Sequence, residues 1–208
     1  MNEIHGGDAA AHWDAAYAKG EDRVSWFQQD AGMSLRLIAD LNPPVDAAII
    51  DVGGGASPLA ASLLSLGHTD ITVLDLSRAA LDAARAALGE QAHRITWLHG
   101  DLLALTSPRR YAIWHDRAVL HFLTDPPDQA RYAELARNTI VPGGHVVIAT
   151  FAPDGPERCS GLPVQRHDSR SLTELLGGAF TEVAHLREDH RTPSGATQHF
   201  TWFVARRT

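Results

Sequence analysis

From residue 46 onward, short apolar runs alternate with stretches in which apolar residues recur every three or four positions. The apolar runs predict strands at 47–52, 71–75, 95–98, 111–116 and 145–151. The stretches between them predict helices at 58–66, after Ser77, at 128–140 and at 171–176. Because strands that alternate with helices join through right-handed crossovers, the pattern predicts a doubly wound, mostly parallel α/β sheet with helices on both faces.

The end of the chain has a different pattern. Residues 179–189 and 197–206 both have strand-like composition, and the segment TPSG (192–195) between them has turn chemistry. Two strands joined by a turn are antiparallel neighbours, so we expect the sheet to end in an antiparallel hairpin.

Residues 1–45 form a separate section that is rich in Trp, His and Gln and ends at the breaker NPP (42–44). The sequence therefore predicts an N-terminal helical cap over 1–45 and one α/β domain over 46–208. The 208-residue length is consistent with one domain.

Charge and cysteine content narrow the expected partners. The formal net charge of −7 and the lack of a long basic run disfavour a nucleic-acid substrate, because like charges repel. No apolar run approaches the length of a bilayer span, so no membrane partner is expected. The single cysteine, Cys159, fits a reducing compartment, and with the lack of a signal-peptide pattern it predicts a cytoplasmic protein.

Polar or flexible residues follow each predicted strand of the first half of the sheet. The segment DVGGGAS (51–57) follows the first strand, Asp75 ends the second and Asp101 follows the third. Gly53 and Gly55 allow a tight turn and a close ligand approach, and Asp75 lies at the distance typical of a ribose-binding carboxylate. Asp101 is placed to meet an adenine ring or to cap a helix. Together these strand ends predict a nucleoside-containing ligand.

The residue after the glycine-rich turn helps to identify that ligand. Pro58 occupies the predicted first helical turn and removes one of the N–H donors that a pyrophosphate requires. This feature and the terminal hairpin disfavour a dinucleotide-binding fold.

The motifs DVGGGAS, VLDLS, HGDL and VPGGHVVIATF together resemble those of the class I, seven-stranded S-adenosylmethionine-dependent methyltransferases. The resemblance covers about residues 46–208 and departs from the usual motif at Ser57, where glycine is common. It implies the strand order 3-2-1-4-5-7-6, S-adenosylmethionine as cofactor and S-adenosylhomocysteine as product. It also implies that the cofactor is lined by Asp51, Gly53, Gly55, Asp75, Leu76, Asp101, Leu102 and His115, with Asp51 near the methionine part.

A weaker resemblance lies in HWDAAY…VSWFQ (12–28) and DRAVL (116–120), which are similar to the branch of protein-lysine and thiopurine-type thiol methyltransferases. In that branch N-terminal aromatic residues cover the cofactor. The resemblance implies a cofactor contact for Trp26 and substrate contacts for Tyr17 and Phe27, with Trp13 as a further cover residue. Alternatively, these aromatic residues anchor an N-terminal helix in the core.

The candidate catalytic residues follow the fourth strand. His115 beside Asp116 could take a proton, because small changes in environment move a histidine pKa across neutral pH. Alternatively, His115 packs against the cofactor and Asp116 caps a helix, and His121 is expected to be structural. The long loop 152–168 is typical of a lid, so Cys159 and Arg166, with Arg117, are candidate substrate contacts.

The expected acceptor is a nucleophilic N, S or O atom of a small molecule or a protein side chain. A nicotinamide-dependent oxidoreductase is the alternative, although Lys19 is the only lysine available for a Tyr/Lys pair. A second alternative is a non-catalytic S-adenosylmethionine-binding module. No metal is expected: His185, His190 and His199 could approach one another across the hairpin, but no closely spaced ligand pair occurs.

Overall fold

The computed structural model describes residues 6–17, 30–106 and 109–208. Within these ranges the main helices are α1 (Gly6–Tyr17), α2 (Gly32–Asp40), α3 (Leu59–Ser65), α4 (Arg78–Leu88), α5 (Pro126–Thr139) and α6 (Ser169–Leu176). The main-sheet strands, numbered in chain order, are β1 (Ile49–Val52), β2 (Ile71–Asp75), β3 (Ile95–His99), β4 (Tyr111–Arg117), β5 (Ile140–Phe151), β6 (Phe180–Arg191) and β7 (Thr197–Arg207).

The main sheet has the order β3-β2-β1-β4-β5-β7-β6, which confirms the order that the sequence predicted. Strands β1 to β5 are parallel, and β7 is antiparallel to both β5 and β6. The change of direction at the first strand, with β2 on one side and β4 on the other, creates a crevice at the carboxyl ends of the strands. That crevice is where a ligand is expected.

Two apolar layers cover the sheet. On one face Leu37 of α2 and Leu63 of α3 pack with Ile113 and Val147 of the sheet. On the other face α5 and α6 pack against alternate sheet residues, among them Trp114. Successive residues of a strand point to opposite faces, so neighbouring residues at the end of β4 are committed to different layers.

Local signals in the sequence explain the helix bounds. Ser77 precedes α4 and its hydroxyl accepts a hydrogen bond from the Ala80 N–H at 3.1 Å, as its predicted role as a cap requires. Gly89 follows the last residue of that helix with φ of 55°, a conformation that few other residues adopt. At α3 the Ser57 hydroxyl accepts from the Leu59 N–H at 3.2 Å, with Pro58 between them.

Two differences from the predicted elements occur. Strand β5 begins at Ile140 rather than at residue 145, because Tyr111 pairs with Ile140 across a register irregularity. The loop 152–168 contains a short two-stranded sheet, Arg158–Cys159 with Leu162–Pro163, which the sequence did not indicate.

Candidate active site

The glycine-rich turn after β1 lies at the centre of the crevice. The backbone N–H of Gly53 donates to the Leu74 carbonyl at 2.7 Å, which fixes the turn against the end of β2. Gly53 and Gly55 have φ values of 65° and 36°. A Cβ on Gly55 would lie 2.8 Å from Asp75 Oδ2 and 2.9 Å from the Tyr17 hydroxyl, so this position requires glycine.

Asp75 ends β2 with its carboxylate beside this turn. Its Oδ1 accepts a hydrogen bond from the Ser77 N–H at 2.7 Å. Burial, together with the nearby charges of Asp51 and Asp14, raises the pKa of Asp75 to about 7. A ligand that donates hydrogen bonds stabilises the ionised form of such a buried carboxylate, and ribose hydroxyls are donors of this kind.

Asp51 and His115 form a buried chain with Ser34. On the paired strands β1 and β4, Asp51 is the register partner of His115. Asp51 Oδ1 lies 2.7 Å from His115 Nδ1, and His115 Nε2 lies 2.9 Å from the Ser34 hydroxyl on α2. All three residues are buried. Because both imidazole nitrogens are engaged, this arrangement favours a positioning role for His115 over proton transfer.

The second oxygen of Asp51 has no hydrogen-bond partner among the described residues. It lies beside the glycine-rich turn, because a Cβ on Gly54 would lie 2.5 Å from it. Buried carboxylate oxygens without a partner are costly, so this atom is suited to a cationic ligand group. The ammonium of a methionine moiety is a group of this kind, and the family resemblance implies that Asp51 lies near that part of the cofactor.

Asp116 belongs to the opposite face of the sheet. Its carboxylate accepts hydrogen bonds from the Val119 N–H at 2.9 Å and from the Leu120 N–H at 3.1 Å. The Tyr132 hydroxyl donates to it at 2.8 Å and in turn accepts from the Trp114 indole N–H at 3.1 Å. Burial raises the pKa of Asp116 to about 6. The geometry matches its predicted alternative role as a cap and leaves both oxygens occupied.

Helix α1 contacts the start of α4 and the segment after β4, beside the carboxyl ends of the strands. The Ser77 hydroxyl donates to Asp14 Oδ1 at 2.6 Å, and the Ala79 N–H donates to the same oxygen at 3.2 Å. At the other side of the crevice the Trp13 ring meets the Phe122 ring edge-on, with centroids 4.9 Å apart. The sequence analysis did not predict a role for Asp14. The signal that could have indicated such a role is its position directly after Trp13 on a helix.

The remaining predicted site residues lie in several places. Leu76 is half-buried and Leu102 is buried, whereas Asp101 is exposed and accepts from the Leu103 N–H at 2.9 Å as a helix cap. Trp26 and Phe27 lie outside the described residues. The half-buried Tyr17 comes from α1 to the edge of the glycine-rich turn, where its hydroxyl lies near Asp75.

The three predicted substrate residues of the β4 and loop region differ in their surroundings. The Arg117 guanidinium lies over the Phe200 ring, 5.0 Å from its centroid, and burial lowers its pKa to about 10. Cys159 is buried in the apolar layer, close enough to Arg117 to influence that pKa. Arg166 instead contacts its own loop, through the Gly155 carbonyl at 3.2 Å and Glu157 at 3.4 Å. Of the three residues, the structure therefore brings Arg117 and Cys159 close together, whereas the contacts of Arg166 lie within its loop.

The hairpin histidines have separate contacts. His185 lies 2.6 Å from Glu182, His199 lies 2.7 Å from Asp189, and His190 packs against Phe200. In the part of the chain that the structure describes, no group of three or more His, Cys, Asp or Glu side chains could hold a metal ion. No helix in the described ranges is long and apolar enough to cross a membrane.

Comparisons with known proteins agree with this geometry. Residues 49–144 match the sequence profile of a methyltransferase domain family. No curated protein sequence matches the chain.

Among solved structures, the 1,6-didemethyltoxoflavin-N1-methyltransferase of Burkholderia thailandensis is 25% identical, with a TM-score of 0.75, and the match covers 100% of this chain and 92% of that one. That protein was crystallised with 1,6-didemethyltoxoflavin and S-adenosylhomocysteine. The N-methyltransferase NodS of Bradyrhizobium japonicum WM9 is 16% identical, with a TM-score of 0.68 and coverage of 93% and 97%. It was crystallised with S-adenosylhomocysteine, and its similarity concerns the fold alone.

A third structure, from work on the conversion of a disulfide bond into a thioacetal group during echinomycin biosynthesis, is 20% identical. Its TM-score is 0.76, and the match covers 95% of this chain and 92% of that one. These three matches span nearly the whole of both chains, so the similarity extends over the sheet and its helices and is not confined to the cofactor motifs.

Proposed function

We propose that this chain is a class I S-adenosylmethionine-dependent methyltransferase that transfers the methyl group to a nitrogen atom of a small molecule. The observation that carries the activity is the convergence of the Gly53–Gly55 turn, Asp75 and the partnerless oxygen of Asp51 on one crevice. The nitrogen acceptor is supported by the full-length match to an enzyme that methylates N1 of 1,6-didemethyltoxoflavin.

The residues of the crevice fit the cofactor part by part. Asp75 accepts hydrogen bonds from the ribose hydroxyls, the Gly53–Gly55 turn gives the room that a Cβ would fill, and Asp51 Oδ2 faces the methionine ammonium. Leu76 and Leu102 supply apolar contacts to the adenine, with Asp101 at its edge. His115 acts on this site through Asp51, since it holds the Asp51 carboxylate at 2.7 Å.

Helix α1 acts as a cover that excludes water. Asp14 fixes it to the start of α4, and Trp13 packs against Phe122 in the segment that follows β4. Tyr17 closes the space above Gly55 and Asp75. These contacts support a cap function for the described part of the N-terminal section, as the sequence predicts.

The bound cofactor supplies a methyl group on a positively charged sulfur, and the new N–C bond forms as the C–S bond breaks. The protein has to align the acceptor and exclude water, because the methyl carbon is already activated. His115 and Asp116 have occupied polar atoms, so neither offers a free base in this arrangement. An acceptor nitrogen therefore reaches the site with its lone pair available and needs no proton transfer to the protein.

The test is a binding and turnover experiment on the full chain. Isothermal titration calorimetry is expected to detect S-adenosylmethionine and S-adenosylhomocysteine, and a panel of amines, N-heterocycles, thiols and hydroxyl compounds is then assayed for S-adenosylhomocysteine release. Turnover with nitrogen acceptors and none with the thiols supports the proposal. Turnover confined to thiols or hydroxyl compounds would overturn the nitrogen assignment, and failure to bind either cofactor form would overturn the whole proposal.

A further inference from the structure

The turn that follows β4 contains a strained residue. Ala118 has φ of 69°, a left-handed conformation that residues with a Cβ rarely adopt. Its N–H donates to the Ala149 carbonyl of the adjacent strand β5 at 2.9 Å, and the residue is buried. Such a conformation persists only where the surrounding structure fixes it. The contacts that fix this turn therefore indicate what it positions.

The carboxylate of Asp116 fixes the backbone of the turn. Its Oδ1 accepts from the Val119 N–H at 2.9 Å, and its Oδ2 accepts from the Leu120 N–H at 3.1 Å. The hydroxyl of Tyr132, on α5, donates to Oδ2 at 2.8 Å and accepts from the Trp114 indole N–H at 3.1 Å. Asp116, Tyr132 and Trp114 are fully buried. Tyr132 thus orients the carboxylate, and the carboxylate holds the backbone N–H of Val119.

The side chain of Val119 enters the glycine-rich turn after β1. A Cβ on Gly53 would lie 2.1 Å from Val119 Cγ2 and 3.5 Å from Val119 Cβ, so a methyl group of Val119 fills the space that a side chain at position 53 would need. The Gly53 N–H donates to the Leu74 carbonyl of β2 at 2.7 Å. Because β2 and β4 are the two neighbours of β1, the glycine-rich turn is held from both adjacent strands.

The same segment also reaches helix α1. The Phe122 N–H donates to the Val119 carbonyl at 2.9 Å, and the Phe122 ring packs against Trp13 of α1. One short segment therefore contacts both the glycine-rich turn and the helix beside the crevice. A displacement of Val119 would consequently change the position of both.

We infer that Val119 is a positioning residue for the cofactor, and that Tyr132 of α5 acts on the cofactor site through Asp116 and Val119. This inference rests on the proposed function and adds to it a physical route from α5 to the glycine-rich turn. Val119 determines where Gly53 lies, and the hydrogen bonds of Asp116 and Tyr132 determine where Val119 lies. None of the three is assigned a step in the methyl transfer itself.

The first test is a double-mutant cycle on the full chain, read by calorimetry with S-adenosylhomocysteine. Gly53→Ala is expected to weaken binding at least about tenfold, and Val119→Ala about threefold. The double variant is expected to bind more tightly than Gly53→Ala alone, because the Cβ that remains at position 119 lies at 3.5 Å, an ordinary contact. The positive φ of Gly53 strains an alanine in both backgrounds, so this effect cancels in the cycle. As a control, Val119→Ala is not expected to restore binding to Gly55→Ala, whose Cβ would meet Tyr17 and Asp75.

The second test removes the hydroxyl that orients Asp116. Tyr132→Phe is expected to weaken S-adenosylhomocysteine binding about fivefold, and by less when Val119 is already alanine, because the route passes through Val119. Tyr111→Phe is the matched control: Tyr111 is a buried tyrosine of the same apolar layer, at the start of β4, and its substitution is expected to leave the affinity unchanged. Urea unfolding of each variant is measured in parallel. A purely structural role would lower the stability of Tyr132→Phe without changing the affinity of the folded protein.

Additive effects of Gly53→Ala and Val119→Ala on binding, or an unchanged affinity in Tyr132→Phe, would each overturn the inference and leave the proposed function intact. Failure of S-adenosylhomocysteine to bind the wild-type protein would instead overturn the proposed function, and the positioning role with it. If Gly53→Ala does not fold, recovery of folding and binding in the double variant supports the inference. If neither variant folds, the affinity of Tyr132→Phe decides.

Discussion

Asp14 Oδ1 accepts a hydrogen bond from the Ser77 hydroxyl at 2.6 Å, which ties the first described helix to the start of α4 across 63 residues of sequence. The hydrogen bond from Ser77 and the Ala79 N–H lowers the pKa of Asp14, in keeping with an ionised cap. Two carboxylates thus accept hydrogen bonds from Ser77 at the start of α4. Asp14 comes from α1, and Asp75 comes from strand β2.

We expect Asp14→Ala to loosen the cover without unfolding the sheet. Loss of a capping carboxylate costs about 1 kcal/mol, so the KM for S-adenosylmethionine is expected to rise roughly fivefold. Steady-state kinetics measure the change, and Asp46→Ala, an exposed aspartate outside the crevice, is the control. An unchanged KM in Asp14→Ala would show that α1 does not hold the cofactor.

We expect Gly55→Ala to abolish cofactor binding, because its Cβ would meet the Tyr17 hydroxyl and Asp75 Oδ2. Gly67→Ala is the matched control, since Gly67 has φ of 92° and a Cβ added there would meet nothing within 4 Å. Both variants carry the strain of a positive φ, about 1 kcal/mol, in thermal unfolding. Calorimetry with S-adenosylhomocysteine separates them: the prediction fails if the two variants bind equally well.

We expect Ser34→Ala to lower both stability and cofactor affinity. The substitution leaves His115 Nε2 buried without its partner, which costs about 1–3 kcal/mol, and it loosens the His115 contact with Asp51. Urea unfolding measures the first effect and calorimetry with S-adenosylmethionine the second. Ser34→Thr retains the hydroxyl and is the control. If S-adenosylmethionine affinity is unchanged while stability falls, the Ser34–His115 contact is structural only.

We expect the contribution of Asp75 to the stability of the ligand-free protein to fall as the pH rises from about 4 to about 7. The pKa of Asp75 is raised from 3.8 to about 7, so over this range its carboxyl binds more protons in the folded state than in the unfolded state. Asp116, with a pKa of about 6, contributes with the same sign, whereas the buried His121, whose pKa is lowered to about 3, contributes with the opposite sign.

Urea unfolding at pH 5, 6, 7 and 8 measures this contribution as the difference in stability between wild type and Asp75→Asn, which is expected to shift in favour of Asp75→Asn as the pH rises. The difference between wild type and Asp82→Asn is expected to stay constant. The affinity for the cofactor is expected to change with pH in the opposite direction, because the ionised carboxylate of Asp75 accepts hydrogen bonds from two ribose hydroxyls. S-adenosylmethionine affinity is therefore expected to rise with pH towards about 7 in wild type and to lose this dependence in Asp75→Asn. A pH-independent affinity in wild type would contradict the ribose contact.

Local signals in the sequence were enough to predict the sheet and the positions of Gly53, Gly55 and Asp75 at the carboxyl ends of its strands. The contacts of Gly53, Asp75 and Ser77 are with residues close in the chain or on the adjacent strand. The spacing of these three residues in the sequence was therefore enough to predict where they lie. The alternation of elements predicted a mostly parallel sheet, and the resemblance that the motifs carry implied its strand order.

The other parts of the site depend on contacts between distant residues. The sequence shows neither that Asp14 caps a helix 63 residues away nor that Ser34 meets His115. His121 was predicted to be structural, and its buried ring fits that interpretation. Burial is a property of the folded chain.

The attachment of the segment before α6 has a consequence for the diversification of such enzymes. Gln165 and His167 are tied to the main chain of His121 and Phe151, and these bonds involve backbone atoms on both sides. Side chains in this stretch are thus free to change while its path stays the same. Variation at the exposed position 165 is therefore expected to leave the path of this segment and the start of α6 unchanged.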